Sequence, residues 1–432
     1  MFQKWTSSRI LIIVGLSVCF AAESASAQTG TPPPVQAGKC RNMPSYKTIQ
    51  AAVDAAQAGA TVYVCPGLYP EQVTIDKNLN LTGIASGTAD AAVITTPSGG
   101  MILSASDPSP ASLNPSIAAQ VFIQGPATVN LTNLTVDGNN NGLSGCNGPT
   151  LVGIYAVNST GTLNGLNLRN QALDPADAAC NSGLGVYLEG NTGKTVTVKN
   201  STVTNYQKNG ITANGYGDGT AGPVITLTGN TVVGQGPTAG TAENGIQVGF
   251  GATGKLSTNL VLDNVYQGTS SSTLAGTGIL IYASKAVVVS NARVSTTQFA
   301  VAAVSDSTYG NADGNNINNN YITASTIAAM ELCSNNNRVE FNDLYSSGQA
   351  AVKVDSSCTE GPGGGNSGTG NTVTNNNFNG DCAGILTGSG TGNTLGPNAL
   401  VVNEFLTQMS GSTCSSPLPS GGSSPGFPVP FR

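Results

Sequence analysis

The sequence predicts an all-β chain, folded as one single-stranded right-handed parallel β-helix with a short N-terminal capping α-helix. Three observations predict it. A strand motif, a small residue followed by apolar-x-apolar, recurs from Gly153-Ile154-Tyr155-Ala156 to Gly384-Ile385. Between its copies lies a second motif, two apolar residues around an asparagine, as in Ile317/Asn320/Ile322 and Val339/Asn342/Leu344. Beyond residue 60 no long helical periodicity interrupts this alternation by two.

The first motif returns at Gly185-Val186-Tyr187-Leu188, Gly210-Ile211-Thr212-Ala213, Gly245-Ile246-Gln247-Val248 and Gly278-Ile279-Leu280-Ile281. Weaker copies start at Ala300, Ala329 and Ala351. The spacings run from 22 to 35 residues, so a constant core motif is joined by loops of variable length. A propeller would need four strands per blade and a longer repeat. The second motif reads as strand, tight bend, strand, with further copies at Leu227/Asn230/Val232 and Val373/Asn376/Phe378. Close variants carry Asn133, Asn200 and Asn291. Asparagine suits the bend because it tolerates the left-handed region and bonds local backbone. Stacked coils would set these side chains in a ladder.

The N-terminal part differs. Ile49, Ala52, Val53 and Ala56 share one helical face, Thr48 is placed to cap it, and Gly59 to stop it. A helix over 48–58 would close the open end of the solenoid. Before it, Lys4 and Arg9, an apolar run over 10–22 and Ala25-Ser26-Ala27 read as an export signal over 1–27. Residues 28–39 read as a linker, 40–405 as the β-helix, and 406–432 as a Ser/Gly/Pro-rich tail. Lipid attachment at Cys19 is disfavoured, because Val18 stands where a small residue is needed. The location read is therefore extracellular or periplasmic.

Charged residues are 9% of the chain, against about 25% in ordinary soluble domains, so Ser, Thr, Asn and Gly must cover the surface. Beyond residue 27, 14 basic residues face 21 acidic ones, a net charge of −7. That argues against nucleic acid and anionic membranes, which need basic clusters. No segment is long and apolar enough to be a membrane span, and the chain reads as a monomer. The absence of histidine removes Ser-His-Asp triads and His-ligated zinc.

Eight cysteines follow the signal, an even number that suits an oxidising compartment. The repeat assigns them. Cys146 and Cys180 lie one coil apart before successive strand motifs, and Cys333 and Cys358 are also about one coil apart. Cys40 pairs with Cys65 across the capping helix, and Cys382 with Cys414 ties down the terminal segment.

The run Tyr46-Lys47-Thr48-Ile49-Gln50-Ala51-Ala52-Val53-Asp54-Ala55-Ala56, followed by Gly59-Ala60-Thr61-Val62-Tyr63-Val64 and Gly67-Leu68-Tyr69-Pro70-Glu71-Gln72-Val73, resembles the N-terminal cap of pectinesterases. More broadly, residues 40–400 resemble the pectin lyase-like β-helix superfamily, whose scaffold hosts lyases, hydrolases, esterases, adhesins and binders. The resemblance implies the fold and a carbohydrate connection. The catalytic signatures of galacturonan hydrolases, pectate lyases and pectinesterases are not found in this sequence.

The register still locates candidate residues, because the x positions of the first motif face outward. One end of that face carries Tyr155, Tyr187 and Glu189, with Tyr282 further along. Flat aromatics there could stack on sugar rings, flanked by the loops 137–150 and 169–182. The other end carries Glu331, Lys353 and Asp355. A lysine beside carboxylates could serve β-elimination on a uronic acid, and a cross-strand ion pair is the structural alternative. Asp137, Asn139 and Asn141 match half of a calcium loop, but Gly148 stands where the bidentate Glu belongs. An Asn-Gly turn is the better reading, and no cofactor is expected. The sequence reading is thus an exported polysaccharide binder. A lyase or esterase with a non-standard site and an adhesive surface protein are the alternatives.

Peptide mapping without reduction checks the coil register. It should recover the four cysteine pairs named above. A Cys146 to Cys333 crosslink, or four free thiols, would overturn the register.

Overall fold

The computed structural model describes residues 31–87, 90–109, 116–191, 193–267, 275–345, 347–354, 368–388, 390–400 and 405–409. The signal over 1–27 with Cys19, Asp355, Cys358, Cys414 and the tail beyond 409 lie outside the described residues. Residues from Pro32 onward form one compact unit. Among the described residues the strands make two sheets, of 13 and 23 strands, and every pairing between successive coils is parallel. The chain is a parallel β-helix. Its apolar x-apolar residues point inward and stack: Val129, Leu131, Ile154, Val186, Ile211, Ile246 and Ile279 belong to one continuous core cluster. No helix among the described residues is long and apolar enough to cross a membrane.

Each coil sits on the next in strict register. Leu163 pairs with Val198, Val198 with Leu227 and Leu227 with Leu256, at the roughly 4.8 Å spacing of a ladder. The bends between strands would bury backbone groups that no strand satisfies, and asparagine resolves this. Asn320 Nδ2 donates to Asn342 Oδ1 at 2.9 Å, Asn342 to Asn376 at 2.9 Å, and Asn376 to Asn398 at 3.1 Å. The same Oδ1 atoms accept from the backbone N–H of the preceding coil's asparagine. A second ladder runs from Asn337 to Asn371. The bend role splits in two. Asn133, Asn200 and Asn291 themselves take the left-handed conformation, whereas Asn320, Asn342 and Asn376 follow a left-handed residue: Asn319, Phe341 and Asn375.

Helix α1 spans Ile49–Ala55, shorter than the expected 48–58. The Thr48 side chain accepts from Ala51 N, and the Glu71 carboxylate takes the first-turn N–H groups of Ile49 and Gln50 at 2.7 and 2.9 Å. The chain turns extended at Ala56, whose N–H closes the last turn. Upstream, the expected linker is corrected: Val35–Ala37 is a strand paired with Thr61–Val64. Three residues carry no period, yet Val35 and Ala37 face the core and Gln36 anchors the backbone around Cys40. The stack also runs past residue 405, because Phe405–Met409 pairs in parallel with Ala383–Thr387.

Cys40 bonds Cys65 and Cys146 bonds Cys180, with Cα separations of 5.7 and 4.7 Å. Cys333 and Cys382 are also disulfide-bonded. Their expected partners, Cys358 and Cys414, are outside the described residues.

The ladder makes a stability prediction. Asn342 is buried and donates to the carbonyls of Ile317 and Glu340 as well as to Asn376. Asn342→Leu strands these acceptors, and urea unfolding should show a loss of about 2–4 kcal/mol. An unchanged midpoint would mean that the ladder is ornamental.

Candidate functional site

The outward column of the first motif stacks as its spacing predicts. Phe122, Tyr155, Tyr187, Thr212 and Gln247 are successive neighbours, and the column continues through Leu280, Ala302, Glu331, Lys353 and Leu386. What the spacing does not give is the cover. The chain before strand Ser116–Gln124 folds back over this face, and Ala105–Ser106 pairs antiparallel with that strand. Tyr155, Tyr187, Phe122, Val157 and Leu184 therefore form a second, dry cluster outside the solenoid core. The expected open aromatic platform is corrected: Tyr155 is 0% exposed, Tyr187 7% and Glu189 3%.

The covering segment brings in Asp107, which is also buried. Tyr155 Oη donates to Glu189 Oε2 at 2.5 Å, and Tyr187 Oη donates to Asp107 Oδ2 at 3.0 Å. Burial, and then the hydrogen bond and charge of Asp107, push the Glu189 carboxyl up to about 9. Glu189 therefore keeps its proton at neutral pH. Ser109 fastens the segment further, its N–H to Asp107 at 2.8 Å and its hydroxyl to the Tyr216 carbonyl at 2.8 Å. Both acids are buried and engaged by tyrosine hydroxyls, so neither is presented to a sugar. This cluster is a lock on the covering segment.

The other candidates are separate. Tyr282 lies three strands beyond Glu189, donates to Asp306 and packs on Phe250, which also meets Tyr309. Burial first, then Asp306, raises its phenol. Glu331 and Lys353 are neighbours on adjacent strands, paired at 3.0 Å, with Glu331 0% exposed and the Lys353 ammonium 5.8 Å from the Phe299 ring centre. The pair is interior rather than a surface contact. Asp355 lies outside the described residues. Asp137, Asn139 and Asn141 do not converge on a cation. Asp137 accepts from Arg169 Nε at 2.7 Å and from Asn170, the Asn139 N–H turns back to Asp137, and Asn141 donates to the Ala172 carbonyl. Arg169 reaches on to Asp90 at 2.7 Å.

A solvent-facing aromatic site lies on a different strip, near the C-terminal end. Arg293, Tyr321, Asp343 and Asn377 stack as one outward column, and Thr323, Tyr345 and Asn379 as the next. The Tyr321 and Tyr345 rings lie 5.3 Å apart. Beside them Phe341, Asp343, Asn375, Asn377 and Pro397 line an open groove of about 540 Å³. Phe341 is 56% exposed and holds φ at +59°. A bulky side chain in the left-handed region is a costly outlier, and such outliers concentrate at functional positions. The sequence held the signal: the motif around Asn342 puts Phe341 in a bend where Asn or Gly belongs.

No protein-family model matches the sequence, and no curated protein matches it. Solved structures do. A native GH136 lacto-N-biosidase from Eubacterium ramulus aligns with a TM-score of 0.59 at 12% identity, over 87% of this chain and 67% of that one. Its selenomethionine derivative gives 0.53 at 13% identity, over 86% and 67%. The A-module of the Azotobacter vinelandii mannuronan C-5 epimerase AlgE4 aligns at 0.49 and 14% identity, over 84% and 95%. The likeness is one of fold, a parallel β-helix.

The acid pair predicts a pH profile. Glu189 is raised from 4.5 to about 9, so between those values the unfolded chain releases a proton that the folded one keeps. The stability held below pH 4.5 is therefore lost as pH rises towards 9, by up to about 1.4 kcal/mol per unit from this group. Urea unfolding at pH 5, 7 and 9 should fall more steeply for the native chain than for Glu189→Gln. Parallel slopes would mean that Glu189 does not hold its proton in the folded chain.

Proposed function

We propose that this is an exported β-helix protein that binds extracellular polysaccharide along the C-terminal aromatic strip, in the groove beside Phe341. Phe341 carries the reading: an exposed ring, held at a conformational cost, lines the groove, and the strand that follows it carries Tyr345, stacked on Tyr321. Flat apolar rings suit the faces of sugars. The groove also supplies a polar partner, because Asp343 lines it and is exposed. Coils repeating at roughly 4.8 Å offer a repeating ligand the same contact more than once. Export over residues 1–27, an extracellular or periplasmic location, and helix α1 as the cap of the solenoid belong to the same reading. The two bonded cysteine pairs support the oxidising compartment.

Binding without turnover is favoured over a lyase or esterase. The acids at both sequence-predicted ends, Glu189 and Glu331, are buried and engaged with neighbours rather than presented to a substrate.

Affinity electrophoresis of the mature chain across pectin, alginate and glycosaminoglycan gels tests this reading. Phe341→Ala with Tyr345→Ala should lose retardation, each ring contributing about 1 kcal/mol, roughly fivefold in affinity. Retardation that survives the double substitution places the site elsewhere. Unsaturated-uronate, reducing-sugar or methanol release on the same panel would make the protein an enzyme. Phe341→Gly should separate binding from stability. It removes left-handed strain, so unfolding should cost about 1 kcal/mol more while glycan retardation falls.

A further inference from the structure

Two long loops lean together on another part of the solenoid, and they enclose a cavity of about 290 Å³. One precedes strand Leu184–Glu189 and the other precedes strand Asn244–Gly249. The first loop gives an apolar wall, with Leu173, Pro175 and Ala178 facing the space. This wall is built to stay in place. The Cys146–Cys180 bond ties its far end. Gln207 braces it from below: its side-chain oxygen accepts from Leu173 N at 2.8 Å, and its nitrogen donates to the carbonyls of Asp177, Ala178 and Cys180 at 2.9, 3.2 and 2.8 Å. Strand Thr231–Thr238 and the second loop, which follows it, give a polar wall through Gln235, Thr238 and Thr241. Between the walls the loops touch so closely that a Cβ on Gly240 would fall 2.4 Å from the Ala178 carbonyl oxygen.

At the inner end sits Glu243, fully buried. Its carboxyl oxygens accept from the Gln235 N–H, at 3.1 and 3.4 Å. Lys208 and Asp263 are the charged groups that act on it. Burial dominates and pushes the carboxyl up to about 8, so at neutral pH it keeps its proton and can donate as well as accept.

We propose that this cavity is a binding site for one pyranose-sized polyol, a monosaccharide or the end of a glycan chain. The ring face lies on the Leu173 and Ala178 wall, and the hydroxyls turn to Gln235 and Thr238. The opposed polarity of the walls selects this class. The Thr238 and Thr241 hydroxyls already donate, to the Thr241 carbonyl at 3.0 Å and to Asn181 at 3.4 Å, so what they offer a ligand is acceptor oxygen, which suits a hydroxyl donor. The site is separate from the aromatic strip. Strand Thr231–Thr238 and strand Asp343–Tyr345 are four ladder steps apart, roughly 19 Å along the axis.

Saturation-transfer NMR on the mature chain, with the methyl pyranosides of glucose, galactose and mannose as probes, tests the proposal. At least one should receive saturation on its ring protons. Ala178→Phe fills the cavity and should abolish the transfer. Thr238→Leu, on the opposite wall and outside the core, should weaken it without moving the thermal midpoint. The Phe341→Ala, Tyr345→Ala double variant should leave it unchanged, which separates this site from the strip. No transfer to any of the three probes overturns the proposal. So does transfer of native strength in both Ala178→Phe and Thr238→Leu.

Discussion

Everything in this molecule depends on coil-on-coil register. A parallel ladder places each residue directly against its equivalent one turn away, at roughly 4.8 Å, so a choice made at one position is felt by its neighbours. For apolar residues this is favourable without further arrangement, and the core is one continuous cluster. For polar residues it is a demand. An isolated buried amide would be costly, whereas a column of amides satisfies itself, which is why Asn320, Asn342, Asn376 and Asn398 follow one another. Stacked like charges would repel. Glu331 stands beside Lys353, and Glu189 stands between Val157 and Asn214.

The same constraint explains what the sequence made legible. Strand alternation separates inward from outward side chains, and motif spacing aligns the coils, so the column from Tyr155 to Leu386 could be written down in advance. Alternation is silent on what lies over an outward face. The segment that covers Tyr155 and Tyr187 has no period of its own, and Asp107 within it is an isolated acid in a Ser/Pro-rich stretch. Its burial arises from contacts between residues 80 positions apart, Tyr187 and Asp107, which no local pattern encodes. Phe341 is the opposite case. Its environment was readable from the bend position, but a reading that searched strand faces for aromatics passed over the turns.

Charge scarcity acquires a structural meaning here. The formal charge of −6 counts every carboxyl as ionised. Burial pushes Glu189 up to about 9 and Glu243 up to about 8, so the folded chain holds protons that its composition does not show. Asp381, raised to about 7 mainly by burial, is partly protonated in the same range. The protein is therefore less acidic folded than unfolded near neutrality, and each such acid makes folding more favourable at lower pH. A chain with so few charges can keep neutral acids inside because a protonated carboxyl is a hydrogen-bonding group much like the amides that surround it.

That use of acids bears on activity. Acid–base chemistry on a sugar needs carboxyls that reach the ligand from two sides, in different protonation states and with the substrate between them. Asp107 and Glu189 are buried and engaged by Tyr187 and Tyr155. Glu331 is bound to Lys353 in the interior. Glu243 lies at a cavity but is fully buried, and it accepts from the Gln235 N–H. The accessible groups at the groove and the cavity are an aromatic ring, amides, hydroxyls and the single exposed carboxylate of Asp343. Such groups would hold a sugar through stacking and hydrogen bonds that are already formed in the ground state. Uniform binding of this kind gives affinity rather than rate, which is the ground on which binding is the function proposed.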